Sequence, residues 1–580
     1  MAAHSRDGRL NAAQQCAAWD ALGDTEFDVL VVGGGVTGCG IALDAATRGL
    51  SVALVEARDL ASGTSSRSSK LFHGGLRYLE MLDFGLVREA LHERDLMVSR
   101  IAPHLVAPVP FLYPLRRRFW ERPYVGAGLL LYDALAGKSP LPRHRHLTRA
   151  AALQRCRSLK PSALTGALQY FDAATDDARH TMFVARTAAS YGAVIRTSTE
   201  VIDLLRDGDR IVGARVRDVD TGLERDVRAR VVVGALGVWS DVLHEMAGVE
   251  SPFRVKASKG VHLLVPRSRI SSDTGLILRT EKSVLFVIPW GEHWIVGTTD
   301  TPWNLALAHP TATRADIDYI LRQVNSVLRN PLTDEDIVGV YAGLRPLLLP
   351  PKDADASTTK LSREHQVAHA APGLVSIAGG KYTTYRVMAQ DAVDAVGTAL
   401  GRSLPPSATA EVPLLGAVGL AAARNRVSSI AARTGVSTAM VQAMLRRYGD
   451  LVEDVLEPVA QRPELAAQVP GAPMHVMAEA LYAVTHEGAR HLEDVLTRRT
   501  RISVDTSHRG RDSAQAVAEL IAPELGWTPD DVEREVQQYR RRVEQELASH
   551  RVEDEERAQA VRLEAPEART LVTGGSRSGR

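Results

Sequence analysis

The sequence predicts an α/β domain built on a parallel sheet, with a β-rich part inserted between its segments, followed by a separate all-helical domain. Three features predict it. Residues 27–56 read as strand, glycine turn, helix and strand. Residues 167–233 turn to α+β patterning with a second buried strand that ends in glycine, 231–237, and residues 254–300 are again β-rich. After about residue 405 the strand patterns stop, and helical stretches separated by Gly435, Gly449, Gly471 and Gly526 run to about 550.

The first feature organises the chain. Asp28-Val29-Leu30-Val31-Val32 is a Val/Leu-rich run closed by glycines, the pattern of a buried parallel strand. Gly33-Gly34-Gly35-Val36-Thr37-Gly38 comes next and contains G-x-G-x-x-G. Gly33 permits the tight turn, Gly35 lets a pyrophosphate approach the backbone, and Gly38 lets helix and strand pack closely. The helix that starts there presents unpaired N–H groups and a positive dipole end to an anion. Val52-Ala53-Leu54-Val55-Glu56 closes the unit, with Glu56 placed to accept bonds from ribose hydroxyls. The whole Rossmann-type unit marks a dinucleotide site, and its residues leave FAD and NAD both open.

Composition narrows the class. The chain has 580 residues, 45% hydrophobic and 24% charged, enough for two to four domains with ample core. A net charge of +1 gives no reason to expect a nucleic-acid partner. Three cysteines, Cys16, Cys39 and Cys156, are too few for a disulfide framework and fit a reducing compartment. The N-terminus lacks a signal-peptide apolar region, and no run of about eighteen apolar residues predicts a membrane span.

Taken in order, residues 1–26 form a polar lead with one short helix. Residues 27–405 are the nucleotide domain with its interleaved substrate part. Its loop Thr64-Ser65-Ser66-Arg67-Ser68-Ser69-Lys70-Leu71-Phe72-His73-Gly74-Gly75-Leu76-Arg77-Tyr78-Leu79 concentrates hydroxyls, cations and paired glycines, donors for phosphate or flavin oxygens; a flexible surface loop is the alternative. Residues 83–102 read as an amphipathic helix, and Pro103, Pro108, Pro110 and Pro114 punctuate the next stretch. Arg116-Arg117-Arg118-Phe119-Trp120 beside the apolar run 125–135 fits either an interfacial membrane segment or a solvated arginine cluster beside a core helix. Asp176 and Asp177 open a helix reaching Tyr191, with the aspartates near its positive end. Residues 406–551 form the helical domain. There Thr528 caps a helix whose first residue is Pro529 and whose apolar stripe is Val532, Val536, Tyr539, Val543 and Leu547. The charged, then Gly/Ser/Arg-rich tail 552–580 is expected to be disordered.

Two histidine clusters are decoys. His486 and His491 are five residues apart, about 140° around a helix at ~100° per residue, so they share no face for a metal. His144 and His146 lie in a Pro/Arg-rich loop. No metal site is predicted, and no hydrolase elbow, P-loop or Cys-x-x-Cys is present. Several cations lie at strand ends or in glycine-flanked turns, where α/β proteins build sites: Arg77 with Tyr78, His262 after Lys259-Gly260, Arg345 in Tyr341-Ala342-Gly343-Leu344-Arg345-Pro346, and Lys381 after Gly379-Gly380.

With these motifs in place, the chain resembles the flavin-dependent glycerol-3-phosphate dehydrogenase family of the aerobic, membrane-associated type. The resemblance rests on 28–56, on Thr64-Ser65-Ser66 with Ser68-Ser69-Lys70-Leu71, and on His73-Gly74-Gly75-Leu76-Arg77-Tyr78-Leu79-Glu80. Asp177-Ala178-Arg179, Ile288-Pro289-Trp290, Gly297-Thr298-Thr299-Asp300, Gly343-Leu344-Arg345-Pro346-Leu347 and Gly379-Gly380-Lys381-Tyr382-Thr383-Thr384-Tyr385-Arg386 extend it in order, and Leu492-Glu493-Asp494-Val495-Leu496 carries it into the helical domain. Two places depart from the family pattern: Gly234-Ala235-Leu236-Gly237-Val238-Trp239, and Arg67, where a smaller residue is usual.

The resemblance implies a FAD-binding domain of the glutathione-reductase and amino-acid-oxidase type. It implies FAD held by Gly33, Gly34, Gly35, Gly38, Glu56, Thr64, Ser65, Ser66, Ser69, Gly74, Gly75, Val201, Ala235, Gly237, Gly380, Lys381 and Thr383. The implied reaction is oxidation of sn-glycerol 3-phosphate to dihydroxyacetone phosphate by hydride transfer to flavin N5, with electrons passed to a membrane quinone. Arg77, Tyr78 and Lys381 would hold the phosphate, His262 would take the C2 hydroxyl proton, and Arg345 would bind the C2 oxygen. It further implies a homodimer in the cytoplasm, peripherally bound to the inner face of the plasma membrane. The competing readings are a flavin-dependent amino-acid dehydrogenase or oxidase, and a non-enzymatic flavoprotein whose helical domain binds a partner or RNA.

Overall fold

Strand Phe27–Val32, almost wholly buried, lies inside a mainly parallel sheet. The computed structural model describes residues 8–117, 119–280, 284–349, 364–569 and 571, with the side chains of Arg77 and Glu80 outside that description. The sheet runs in the order His365–Ala371, Leu374–Gly379, Glu224–Gly234, Phe27–Val32, Val52–Val55, Val194–Arg196. Val31 sits opposite Val233 on one side and Leu54 on the other. Among these six strands, only the edge strand His365–Ala371 runs antiparallel. Helix Val36–Thr47 packs on this sheet with helices Asp177–Ser190 and Tyr385–Leu400, in a core that includes Val29, Val31, Cys39, Ile41, Val184 and Val393.

Glu224–Gly234 serves two layers. Its first half pairs with Arg210–Asp218 in a meander that includes Thr199–Asp207, and its second half pairs with Phe27–Val32. The expected turn at Thr221-Gly222 is present, with Gly222 at φ +75°.

The inserted part is a ten-stranded sheet. Val255–Pro266 is its spine, paired on one side with Gly339–Leu348 and on the other with His293–Gly297 and Thr301–Trp303. One strand, Ala107–Leu115, falls where the prolines read as punctuation. Pro108, Pro110 and Pro114 occupy alternate positions, so all three missing N–H groups point to the same side. Leu115 faces the long partner Gly166–Ala174 by accepting from Thr165. The Pro110 carbonyl instead faces the other side, where only Phe111 and Leu112 pair with Gly275–Arg279.

Helices dominate from Leu420 onward, packed on a core containing Met444, Tyr448, Val495, Val517 and Val536. Two expectations are corrected here. The helical domain carries a hairpin, Gln468–Val469 with Ala472–Val476, because Pro470-Gly471 makes a tight turn with Gly471 at φ +73°. The tail expected to be disordered from 552 begins with helix Glu555–Leu563, capped by Asp554, and Arg569 is buried against Asp494 at 2.8 Å. Residues 572–580 lie outside the described residues. Helix Pro529–Ser549 starts as expected, with Thr528 and Asp531 forming a capping box. Among the described residues no helix is long and apolar enough to cross a membrane.

Candidate active site

The nucleotide unit builds a cleft of about 230 Å³ where the parallel strands end. Gly33 takes φ +111°, and a Cβ there would lie 2.6 Å from the Ala235 carbonyl. At Gly38 a Cβ would lie 1.9 Å from the Gly33 carbonyl, so only glycine lets helix and turn meet. At Gly35 the same position meets only Ser65 Oγ within 4 Å, so the backbone is approachable from the cleft. Ser65 Oγ accepts from the Val36 N–H at 2.9 Å, at the helix N-terminus. The buried Glu56 carboxylate accepts from the Gly34 and Arg58 N–H groups at 2.7 and 2.8 Å, and burial raises its pKa. Thr64, Val201, Ala235, Gly237, Gly380 and Lys381 line the same cleft.

A second cavity of about 440 Å³ opens from the first, sharing Thr64, Pro346, Gly380, Lys381 and Tyr382 with it. His262 and Arg345 come from the paired strands of the inserted sheet. A Cβ at Gly297 would lie 2.6 Å from the His262 ring, and one at Gly260 would lie 2.4 Å from the Arg345 guanidinium, so both side chains occupy room that glycines leave. The His262 ring stacks on Tyr341 at 4.8 Å, and its Nε2 is 2.9 Å from Ser69 Oγ. Burial, then the Arg345 and Lys70 charges, hold its pKa well below 6.5, so the ring is neutral. Arg345 donates to Thr298 Oγ1 at 3.0 Å and lies 3.6 Å from Asp300. Lys381 Nζ sits 5.2 Å over the Tyr78 ring and donates to the His73 carbonyl, which Thr383 also reaches at 3.3 Å. The neutral His262 and the cations Arg345 and Lys381 therefore converge on one cavity, together with Ser69, Gly75, Tyr78 and Thr383.

Other expected residues sit elsewhere. Gly34, Gly38, Ser66 and Gly74 line neither cavity. Gly34 ties the turn to Glu56, and Gly74 donates to the Tyr132 hydroxyl at 2.9 Å. The Ser66 carbonyl accepts from Lys70 at 3.2 Å. Arg77 is on helix Leu76–Glu80, and its side chain is outside the description.

Sequence reasoning misses the loop's support. Lys70 does not face the ligand space: it is buried, 2.6 Å from Asp177, which also accepts from the Ser68 N–H and hydroxyl at 2.8 and 2.7 Å. Arg501, from the helical domain, pairs with the same Asp177 and with Asp176 at 2.9 Å. The Asp177-Ala178-Arg179 motif is visible in the sequence, but nothing there ties it to a residue over three hundred positions away. Tyr341 is likewise unmarked as the ring beneath His262. Of the decoys, His491 bonds Glu535 at 2.8 Å and Asp220 at 3.2 Å, and His486 stacks on Tyr482.

Comparison with known proteins places this geometry. Residues 28–386 match the FAD dependent oxidoreductase family, and residues 407–532 match the C-terminal domain of alpha-glycerophosphate oxidase. Glycerol-3-phosphate dehydrogenase of Mycobacterium leprae (strain TN) is 57% identical over 97% of this chain and 96% of its own. The chain belongs to the FAD-dependent glycerol-3-phosphate dehydrogenase family. The mitochondrial glycerol-3-phosphate dehydrogenase of Mus musculus is 37% identical over 87% of this chain and 71% of its own. Among solved structures, the Bacillus halodurans glycerol-3-phosphate dehydrogenase complexed with FAD aligns with a TM-score of 0.76 and 30% identity, over 93% of this chain and 97% of that one. Glycine oxidase from Geobacillus kaustophilus, at 20% identity and TM-score 0.51, shares the fold. The family's cofactor is FAD, and the glycine cradle, the open cleft side of Gly35 and the continuous cleft fit it.

Proposed function

We propose that this enzyme oxidises sn-glycerol 3-phosphate to dihydroxyacetone phosphate. One observation carries the reading: a buried neutral imidazole and a guanidinium line the same cavity as a lysine and a tyrosine, and that cavity is continuous with the dinucleotide cleft. Bound FAD supplies the acceptor for the two electrons and the C2 hydrogen. His262, neutral through burial, accepts the proton of the C2 hydroxyl. Arg345, held by Thr298 and Asp300, faces the C2 oxygen and stabilises negative charge as it develops. Lys381, Tyr78 and Arg77 hold the phosphate, a dianion that calls for fixed cations. Tyr341 and Ser69 fix the plane of the imidazole.

Anaerobic mixing of the holoenzyme with glycerol 3-phosphate tests this. Loss of the oxidised-flavin bands is expected; bands that persist with glycerol 3-phosphate but bleach with an amino acid would transfer the reading to the amino-acid oxidising class.

The reading extends to a membrane quinone as final acceptor, met at the inner face of the plasma membrane. Its support is an apolar surface around helix Glu121–Ala136. Phe119 is 89% exposed, Trp120 50%, Tyr124 54% and Leu130 64%, with Arg117 stacked 5.6 Å from the Trp120 ring. Exposed aromatics beside arginine suit a headgroup boundary. Co-sedimentation with anionic-lipid vesicles should be lost in a Trp120→Ser, Leu130→Ser double variant.

A further inference from the structure

The junction between the inserted sheet and the helical domain encloses a polar cavity of about 70 Å³ that the proposed reaction does not use. Ser66, Arg67 and Lys70 line it from the loop that carries Ser69 to His262. Arg542, on helix Pro529–Ser549, and Arg562, on helix Glu555–Leu563, line it from the helical domain. Lys70 and Arg501 also reach it, but Asp177 and Asp176 already match their charges. Among the lining residues Glu493 and Glu546 are the carboxylates that face Arg67, Arg542 and Arg562, which leaves one positive charge over within the lining; Glu567, outside it but near Arg562, is engaged by Arg58 at 3.3 Å and His309 at 3.0 Å.

Their donors are also short of acceptors. Arg562 is 7% exposed, yet among the described residues its guanidinium makes no hydrogen bond or ion pair. Arg542 approaches Glu493 and Glu546 only at 3.4 and 3.5 Å, and its buried Nε and Nη1 have no hydrogen-bond acceptor. Arg67 donates to the Ala308 carbonyl at 3.3 Å. Burial and the neighbouring arginines push the Arg67 pKa down to about 10 and lower that of Arg562, whereas, against burial, Glu493 and Glu546 raise that of Arg542, so the mutual repulsion falls on Arg67 and Arg562. Each carries five N–H donors, and a buried guanidinium left unpaired is strongly destabilising. His309 and His550 complete the wall as neutral rings, held there by burial with pKa values of about 4.

We propose that this cavity is a binding site for a small oxyanion, a phosphate group held by the forks of Arg67, Arg542 and Arg562. A tetrahedral dianion presents enough oxygens to receive several planar forks at once. It would offset the excess charge, and the volume suits one phosphate group rather than a nucleotide. Arg67 also lines the active-site cavity, so an anion here bears on the loop that positions His262.

The test is calorimetric titration of inorganic phosphate into the full-length holoenzyme. Two sites are expected in the wild type, one of them displaced by glycerol 3-phosphate. Arg562→Gln should weaken the other site at least tenfold. Arg562→Lys, which keeps the charge but loses the fork, should weaken it as well, with flavin absorbance and thermal unfolding confirming that each variant is folded. Wild-type protein with a single site displaced by glycerol 3-phosphate, or with no site, overturns the proposal. So do two sites that are unchanged in both variants. A single site that resists glycerol 3-phosphate and is lost with Arg562 upholds this proposal and counts instead against the phosphate role of Lys381. Glucose 6-phosphate, if it takes the Arg562-dependent site, identifies a phosphate monoester as the occupant; if it is excluded, free phosphate is the occupant.

Discussion

At the residue scale, the proposed chemistry depends on how His262 is kept neutral. Its imidazole is buried, stacked on Tyr341, and faces two cations, so protonation is disfavoured. The unfolded chain takes up a proton near 6.5 that the folded site excludes, so this residue lowers stability as pH falls below 6.5 and costs nothing above it. Catalysis should obey the same rule: the acid limb of kcat should fall below 6.5, measured by steady-state profiles with an artificial acceptor. His262→Gln should lower kcat by about 10² to 10⁴, the usual worth of a general base, and leave KM within a few-fold. An unchanged kcat would remove His262 as the base. His262, Arg345 and Lys381 are legible as a group because each sits beside glycine in a strand-end or turn motif. Their convergence is not legible, since nothing local reports the pairing of Val255–Pro266 with Gly339–Leu348.

At the element scale, glycine placement decides where backbone can meet backbone. Gly38→Ala would set a methyl 1.9 Å from the Gly33 carbonyl, and helix and turn would have to part. The loss should exceed the ~1–3 kcal/mol of ordinary overpacking, with poor FAD retention, read by thermal unfolding and by flavin content after gel filtration. Gly128→Ala is the contrast. It lies in helix Glu121–Ala136 with nothing within 4 Å of its Cβ position, so it should leave FAD bound and stabilise by up to ~1 kcal/mol. The same scale explains why 107–115 is misread from sequence. Composition counts proline as a breaker, whereas its effect depends on which side of a strand lacks a partner.

At the scale of the whole molecule, the two domains are joined by buried charges. Asp59, in the nucleotide domain, bonds Arg499 at 2.7 Å and also pairs with Arg498. Arg179 bonds Glu487 at 2.7 Å, and Arg501 holds Asp176 and Asp177. Removing one partner strands the other in a low-dielectric interior. Asp59→Asn should therefore destabilise by about 3–5 kcal/mol, measured by denaturant unfolding, although it touches no ligand. The tail belongs to the same system: Arg569 pairs with Asp494, which also holds Arg498. Its charged composition resembles disorder because charge is normally solvated, and the groups that hold it come from helix Pro529–Ser549 beside it and from Asp494, seventy-five positions before Arg569.

The sequence by itself determined the dinucleotide unit, the order of the sheets and helices, and the capping of helices such as Pro529–Ser549. These depend on periodicity, glycine stereochemistry and caps, which act over a few residues. Only the tertiary structure decided that Lys70 supports the loop instead of facing a ligand, that Arg501 reaches it from the helical domain, and that Arg562 lies buried beside Arg542 and Arg67. A charged side chain has no local preference for burial. Its place is set by which opposite charges, or which unmet donors, the fold brings within a few ångströms.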